Sequence, residues 1–414
     1  MEICKHTGEC GGCLYQGTEY ADQVDLKLEE VKGYMEKNHI DCPDFRGLEG
    51  SPSITAYRNK MEFTFGDMVK GGPMTLGMHK RRSYMSIIST DDCMLIDGDF
   101  NQIRDSVLNF CIAWGYRHYN KKSHSGLLRN LIIRKGERTG ELLVCIVTTS
   151  EPGFDEDGFR DMLLGLETES RIVGILRTIN DAIADKVTNE ELRVLYGRDY
   201  YNEEIMGLKF KVHIFAFFQT NISAVERLYR EALELIDDVS GKTVFDLYCG
   251  TGTITQTLAL KAKKAVGVEI SPDAVESARQ NAALNGLDNC DFICGDVLKV
   301  LDDLEDKPDV IVLDPPRAGI HYKVLPKLLR YGVDQILYIS CNPKTMAPNL
   351  EFMQENGYRV VTMKAYDNFP FTKHVECVGL LSRKTNKCSR NGLKSRGFEE
   401  FALNGRFPRD LFLL

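Results

Sequence analysis

From about residue 205 onward, short apolar segments alternate with longer amphipathic segments. We predict strands in the apolar segments at 243–248, 264–269, 291–294, 309–313 and 335–340. A helix is predicted at 271–285, where Ser271 and Pro272 supply the cap and the first turn. This alternation is typical of a parallel, doubly wound α/β sheet. Two last strands, at 358–364 and 375–381, lack a full helix between them and indicate an antiparallel edge.

The first half of the chain has a different pattern. An amphipathic helix is predicted within 20–40, with Val24, Leu28, Val31 and Met35 on its apolar face. Short predicted strands follow at 60–65, 130–135, 142–148 and 174–178, which indicates an α+β domain. Since 414 residues exceed one hydrophobic core, we expect domains at 1–204 and 205–383 and a weakly ordered tail at 384–414.

Composition narrows the possible functions. Hydrophobic residues at 43% and charged residues at 27% are ordinary for a globular protein. The sequence contains no apolar stretch of membrane-spanning length and no signal-peptide core, so we expect a cytoplasmic protein without a membrane partner. A net charge of −8 argues against a uniformly basic surface but allows a local basic face. In a reducing compartment, the 13 cysteines indicate metal binding or catalysis rather than disulfides.

A glycine-containing turn follows the first strand of the second half, in the order Asp246, Gly250 and Gly252. Glycines let a ligand approach the backbone closely, and the helix that follows favours an acidic group at its start. Glu269 ends the next strand, at about the 20-residue spacing at which a carboxylate binds ribose hydroxyls, and Asp296 ends the third. These residues indicate a nucleoside cofactor.

A dinucleotide is the alternative ligand, but Thr255 stands where its motif requires a third glycine. The Asp-x-x-x-Gly-x-Gly turn instead resembles that of S-adenosylmethionine-dependent methyltransferases. We therefore favour S-adenosylmethionine.

Polar motifs also end the fourth and fifth predicted strands. The Asp314-Pro-Pro-Arg317 turn is rigid, leaves carbonyls free to accept hydrogen bonds, and can hold a planar base; the alternative is a simple helix-entry turn. Cys341 follows the fifth strand directly, before Asn342 and Pro343. A thiol at this edge of a sheet can be reached by a substrate and ionised, although many free cysteines are only buried packing residues.

A thiol beside a methyl donor suggests a specific reaction. Carbon 5 of uracil is a poor nucleophile, but a thiolate that adds to carbon 6 makes carbon 5 enolate-like and able to accept a methyl group. The proton on carbon 5 then needs a base. Glu376 is our candidate, and His374 can support it because alternate residues of a strand share a face. A surface ion-pairing role is the alternative for Glu376.

Together these motifs resemble the RNA uracil-5-methyltransferase family over nearly the whole length to about residue 383. The resemblance rests on five ordered motifs, at 217–221, 246–250, 314–317, 340–343 and 374–376. It implies a Rossmann-like methyltransferase domain in which Cys341 is the nucleophile and Glu376 the proton acceptor. It also implies that Gln219, Tyr248, Glu269 and Asp314 contact the cofactor or order the site.

Four cysteines near the N-terminus form a separate candidate site: Cys4, Cys10, Cys13 and, much later, Cys93. Four thiolates suit zinc or an iron–sulfur cluster, and the spacing does not separate the two. The resemblance is closest to the 23S ribosomal RNA branch and implies a 4Fe–4S cluster with a structural role. Radical chemistry is a further alternative, but the spacing differs from that of radical enzymes.

We expect no small β-barrel domain ahead of the cysteines, so RNA contact falls to the central domain. The candidates are basic segments at 57–60, 80–82, 128–130 and 134–135, and the aromatic residues Tyr57, Phe63 and Phe65 as stacking partners for an extruded base. We expect a monomer that methylates a uridine of structured RNA, foremost 23S rRNA. The alternatives are a tRNA uracil-5-methyltransferase, a cytosine-5 methyltransferase and a non-catalytic iron–sulfur RNA-binding protein.

Overall fold

Two large sheets organise the protein in a computed structural model that describes residues 3–183, 191–304 and 306–384. The helices are α1 (Tyr20–Lys37), α2 (Gly98–Ala113), α3 (Glu156–Leu164), α4 (Ile222–Glu234), α5 (Thr253–Ala259), α6 (Pro272–Leu284), α7 (Val297–Asp303), α8 (Val324–Arg330) and α9 (Pro343–Glu355). The strands of the first half are β1 (Asp44–Glu49), β2 (Lys60–Asp67), β3 (Met74–His79), β4 (Ile87–Ser89), β5 (Leu128–Lys135), β6 (Glu141–Thr148), β7 (Arg171–Ile179), β8 (Glu191–Gly197), β9 (Tyr200–Ile205) and β10 (Leu208–His213). Those of the second half are β11 (Thr243–Leu247), β12 (Lys264–Glu269), β13 (Cys290–Cys294), β14 (Val310–Leu313), β15 (Gln335–Ser340), β16 (Tyr358–Tyr366) and β17 (Glu376–Arg383). The predicted weak order of the tail concerns residues that, apart from Lys384, lie outside the described ranges.

The second half forms the predicted α/β layer. Its eight-stranded sheet has the order β1-β16-β17-β15-β14-β11-β12-β13, with β11 to β15 parallel. Strands β11, β14 and β15 are almost entirely buried apolar runs, as expected when helices cover both faces. The doubly wound, Rossmann-like prediction is confirmed.

The predicted antiparallel edge is only partly right. Strand β17 is antiparallel to both neighbours, but it is inserted between β15 and β16 and is therefore an interior strand. The outer position belongs to β1, which pairs in parallel with β16. A strand from the first fifty residues thus completes the methyltransferase sheet.

Helix α1 confirms the helix predicted within 20–40, but its buried face differs from the predicted apolar face. Val31 and Met35 are buried as expected, whereas the other fully buried positions are Gln23 and Lys27. Buried polar groups require hydrogen-bond partners. Both partners of Lys27 and the N–H group bound by Gln23 Oε1 lie in the segment between β16 and β17, while Gln23 Nε2 donates to the Thr18 carbonyl.

The first half contains a seven-stranded sheet of order β4-β3-β2-β5-β6-β7-β8. Its predicted strands correspond to β2, β5, β6 and β7, and helices α2 and α3 bury residues such as Phe100 and Phe159 in its core. The predicted boundary at 204 falls in the β9–β10 hairpin, where β9 contacts β6 and β7 and β10 contacts α6. Residues 1–383 accordingly form one unit with a shared core.

Across the described ranges, the helices are too short or too polar to cross a lipid bilayer.

Candidate active site

The predicted nucleophile and base lie at the ends of neighbouring antiparallel strands. Cys341 follows β15 directly, and Glu376 is the first residue of β17. The register pairs Ser340 with Cys377, so continuing it by one residue sets Cys341 opposite Glu376. Directly opposed residues of an antiparallel pair extend to the same face of the sheet. The order of strands in the sheet therefore brings two distant motifs together.

The thiol of Cys341 is held in its neutral form. Burial, with contributions from the charges of Glu376 and Asp314, raises its pKa to about 12, while Arg317 opposes the shift. A thiolate in this half-buried site is unfavourable as long as either neighbouring acid is ionised. The nucleophilic form must therefore develop when these charges change, as on protonation of an acid or entry of a substrate.

Glu376 and Asp314 are both shifted toward their protonated forms. Burial raises the pKa of Glu376 to about 7. Burial, and then the charges of Glu376 and Asp246, raise the pKa of Asp314 well above its usual range. A carboxyl that titrates near neutrality suits general-base work, whereas one that stays protonated can donate a hydrogen bond. Glu376 is thus suited to accept a proton, and Asp314 to donate a hydrogen bond.

The glycine turn lies at the adjoining edge of the sheet, after β11. Tyr248, Gly250 and Gly252 all have positive φ, of 71°, 54° and 78°. A Cβ on Gly252 would approach the Phe292 ring to 2.8 Å, so this position needs glycine for space as well as for conformation. The turn thereby keeps its backbone close to the ends of β11 and β12.

Glu269 is oriented by the turn itself. Its carboxylate accepts hydrogen bonds from the Gly250 N–H at 3.1 Å and from the Ser271 N–H at 2.9 Å. Asp296, at the end of β13, caps α7 by accepting from the Leu298 N–H and remains exposed. The acids that follow β12 and β13 therefore lie beside the turn, where ribose hydroxyls and the rest of a nucleoside can be bound.

Asp246 supports the turn from beneath. Its side chain is buried and accepts a hydrogen bond of 2.5 Å from the Thr255 hydroxyl, while burial raises its pKa to about 7. Its second oxygen, Oδ1, has no hydrogen-bond partner in the part of the chain that the structure describes. An unpartnered buried oxygen beside the turn suits a donor from a bound cofactor. The residues present thus fit S-adenosylmethionine.

Gln219 is connected to the site by a hydrogen bond to Tyr229, a residue that the sequence analysis did not identify. Its amide Nε2 donates to the Tyr229 hydroxyl at 3.0 Å. Burial raises the pKa of Tyr229 far above its usual range, and the charges of Asp314 and Glu376 add to the shift. Tyr229 lies on the buried face of α4 and belongs to none of the five motifs. Its one sequence signal is a polar tip on an apolar helix face.

His374 precedes β17 rather than belonging to it. Its ring meets Phe369 edge-on, with centroids 6.1 Å apart. Burial, with contributions from the charges of Arg317 and Lys373, lowers its pKa to about 4. The imidazole is therefore neutral near pH 7, and its support of Glu376 stays a prediction.

The predicted stacking residues were wrong. Tyr57, Phe63 and Phe65 are 4%, 0% and 3% exposed, because they face the core from β2 and from the segment before it. An exposed aromatic is Phe217, at 73%, two residues before Gln219. The three predicted residues were chosen because they lie beside basic segments in the sequence, and that position does not distinguish a buried ring from an exposed one.

Several predicted basic contacts are also structural. Arg129 is buried and donates to the carbonyls of Asn180 and Ala182, and buried Arg134 donates to the carbonyl of Ala216. Arg81 donates to the Cys13 carbonyl at 2.6 Å and so braces the cysteine segment. Its neighbour Arg82 is exposed and remains available for RNA.

The four predicted metal ligands surround one cavity: Cys4, Cys10, Cys13 and Cys93 all line it. Burial raises the pKa of Cys13 to about 12 and that of Cys93 to about 11, and the neighbouring thiols add to both shifts. Within the described ranges, three His, Cys, Asp or Glu side chains never converge closely enough to hold a single metal ion. The four thiols thus line a shared cavity and do not meet at the position of one ion.

Comparisons with known proteins identify relatives of this chain. The family model described as tRNA (Uracil-5-)-methyltransferase matches residues 186–384. An uncharacterized RNA methyltransferase of Clostridium tetani is 47% identical over 381 residues, which cover 92% of this chain and 84% of that protein. One from Bacteroides thetaiotaomicron is 34% identical and covers 92% and 87%.

Similarity extends to a solved structure. The crystal structure of Pyrococcus abyssi tRNA (uracil-54, C5)-methyltransferase in complex with S-adenosyl-L-homocysteine has a TM-score of 0.74 and 26% identity. The alignment covers 90% of this chain and 86% of that one.

Proposed function

Because the chain belongs to the S-adenosylmethionine-dependent RNA uracil-5-methyltransferase family, we propose that it methylates carbon 5 of a uridine in structured RNA through a covalent cysteine adduct. The observation that carries the proposal is the pairing of Cys341 with Glu376 across β15 and β17, beside the glycine turn. A thiol and a carboxyl with a near-neutral pKa supply the nucleophile and the base that the reaction needs.

The reaction divides between these two residues. The Cys341 thiol gives up its proton to solvent, and the thiolate forms a bond to carbon 6 while the electron pair of the 5,6 double bond moves to carbon 5, which takes the methyl group. S-adenosylmethionine, held by the turn and by Glu269, supplies the electrophilic methyl group when bound. Glu376 then accepts the proton from carbon 5, the double bond re-forms, and the thiolate leaves.

Asp314 and Arg317 assist the thiolate. A protonated Asp314 carries no charge against the sulfur and can donate a hydrogen bond to a uracil carbonyl. Arg317 opposes the remaining negative charge. Asn342 fixes the Arg317 backbone by donating to its carbonyl at 2.9 Å. Exposed Phe217 can stack on a base at the mouth of the site.

For the substrate, we propose 23S rRNA, on the basis of the cysteine pattern shared with the ribosomal branch. The second candidate is tRNA, favoured by one observation: the Pyrococcus abyssi structure with a TM-score of 0.74 is of a tRNA (uracil-54, C5)-methyltransferase. The same chemistry serves both, so the RNA-binding surface decides between them.

Mass mapping of 5-methyluridine distinguishes the two substrates. In 23S rRNA from cells that lack the protein, we expect one or more 5-methyluridines to disappear and to return when the wild-type chain is expressed. Loss of the modification from tRNA alone would establish the second candidate. Unchanged 5-methyluridine in both RNAs would contradict the proposed activity.

We also propose that the four thiols hold a 4Fe–4S cluster. In a zinc site all four sulfurs approach one ion at about 2.3 Å and so lie within roughly 4 Å of one another. A cluster binds each thiolate through a different iron and keeps the sulfurs farther apart. The four thiols line one cavity, which is compatible with either group, and the resemblance to the ribosomal branch favours the cluster. Its role is to tie residues 4–13 to the region of Cys93.

Metal analysis of protein purified without oxygen tests the cluster. We expect about four irons and four acid-labile sulfides per chain, and strong losses of both in the Cys13→Ser variant. Cys294→Ala, which removes an exposed thiol elsewhere, is the matched control and should retain the iron. One zinc per chain without iron would favour the alternative.

A further inference from the structure

A buried ion pair joins α1 to the segment that ends at the proposed base. Lys27 Nζ lies 2.7 Å from Asp367 Oδ1, and both side chains are completely buried. Lys27 also donates to the Phe369 carbonyl at 3.2 Å, and Asp367 accepts from the Phe369 N–H at 3.0 Å and from the Tyr20 hydroxyl at 3.1 Å. The ion pair thus connects α1 both to a side chain and to the backbone of this segment.

Segment 367–375 connects β16 to β17 and is held on several sides. Apart from those of the ion pair, its backbone hydrogen bonds to the rest of the chain involve five regions: the Leu14 and Tyr15 N–H groups donate to Phe371 O, the Phe371 N–H to Gln23 Oε1, the Tyr57 hydroxyl to Pro370 O, Asn221 Nδ2 to Asn368 O, and the Asp367 N–H to Glu49 O. A connection of this length is normally mobile and solvated. In this protein, hydrogen bonds from other parts of the chain fix the backbone of the segment at several successive residues.

The segment also contains a strained residue. Phe371 is fully buried and has a φ of 64°, a left-handed conformation that costs a non-glycine residue free energy. Such a conformation persists only where the surroundings over-determine it. Phe371 lies five positions before Glu376, so the strained residue is in the segment that leads directly to the proposed base.

Stability alone does not account for a buried ion pair. Well-packed apolar residues of similar volume are often as stabilising as a buried pair or more so, because two charges must be desolvated. What a hydrogen-bonded pair adds is a specified geometry. A general base has to lie within hydrogen-bond reach of its proton, and misplacement by about 1 Å can cost roughly 10²-fold in rate.

We propose that Lys27 and Asp367 are positioning residues for Glu376, fixing segment 367–375 so that the carboxylate meets the proton on carbon 5. The inference rests on the proposed function and adds two residues outside all five motifs that suggested it. Neither residue touches the substrate. We expect their effect to fall on the last step, because Cys341 and the glycine turn are carried by other elements.

The test replaces the pair by apolar residues in the double variant Lys27→Met/Asp367→Leu, which avoids leaving one charge buried alone. In single turnovers with RNA and methyl-labelled cofactor, we expect methyl transfer into the covalent adduct to stay within several-fold of wild type. Release of methylated RNA should slow by about 10²-fold, so that the methylated adduct accumulates. Tyr20→Phe, which removes one hydrogen bond to Asp367, should show a smaller effect in the same direction.

Lys264→Met is the matched control, since Lys264 forms ion pairs with Asp291 and Asp306 at the opposite edge of the sheet. It should leave the ratio of the two steps unchanged. Equal slowing of methyl transfer and release in the double variant and in Tyr20→Phe would overturn the proposal and leave the pair a purely structural role.

Amide hydrogen exchange gives a readout that is independent of activity. Exchange across 367–376 should rise in the double variant while the central strands stay protected; unchanged exchange there would also overturn the proposal. If the wild-type chain formed no adduct with any RNA, the proposed function would fail instead, and the exchange result would still report on the pair.

Discussion

Replacing Cys341 with alanine is expected to abolish both uridine methylation and the covalent RNA adduct. Without addition of a thiolate to carbon 6, carbon 5 remains a poor nucleophile, and the site offers no second group at that position of the sheet. Loss of a nucleophile of this kind lowers turnover by about 10⁴-fold or more. Transfer of labelled methyl groups and denaturing gels of the RNA–protein adduct measure the two effects separately.

Cys294→Ala is the control, because Cys294 is an exposed thiol at the end of β13 on the same edge of the sheet. It should leave both readouts close to wild type. Methyl transfer by Cys341→Ala at more than a few per cent of the wild-type rate would contradict the covalent mechanism.

Replacing Glu376 with glutamine is expected to have the opposite effect on the adduct. The amide keeps the shape of the side chain but cannot accept the proton from carbon 5, so the methylated RNA stays attached to Cys341. Turnover should fall by about 10²- to 10⁴-fold, the usual contribution of a general base. The adduct should become the main species on a denaturing gel, and normal turnover would assign the proton to another base.

The pH dependence follows from the same carboxyl. Because burial raises the pKa of Glu376 to about 7, it is mostly protonated below that value and cannot act as a base. The release step should therefore accelerate with pH up to about 7, level off above it, and lose this profile in Glu376→Gln. Since the folded-state pKa lies above the usual value of 4.5, the stability contributed by this group is fully present below pH 4.5 and declines as pH rises through about 7.

The doubly wound layer was predictable because its strands are buried on both faces and so appear as continuous apolar runs. Cys341 and the acids Glu269, Asp296 and Asp314 were predictable for a related reason, since parallel strands place their carboxyl ends at one edge. The position of Glu376 beside Cys341 was harder to predict, because it depends on the insertion of β17 next to β15.

Other features had no local signal. The pairing of β1 with β16 joins segments far apart in the chain, and neither is marked as a partner of the other. Lys27 looked like a solvated residue of an amphipathic helix, because its buried acid, Asp367, lies 340 positions away. Tyr57 fits an exposed aromatic as well as a buried one until the packing of the first sheet is known.

The outer position of β1 has a consequence for the synthesis of the protein. The hydrogen bond from the Thr362 hydroxyl to Asp44, across β16 and β1, spans 318 positions. At about 5–20 residues per second, the ribosome needs roughly 15–65 s to make that stretch. During this time β1 lacks the strand that it pairs with, and Glu376 does not yet exist. Folding of the nascent chain is therefore late and non-local, and a product truncated before β17 carries Cys341 and the glycine turn but lacks the proposed base.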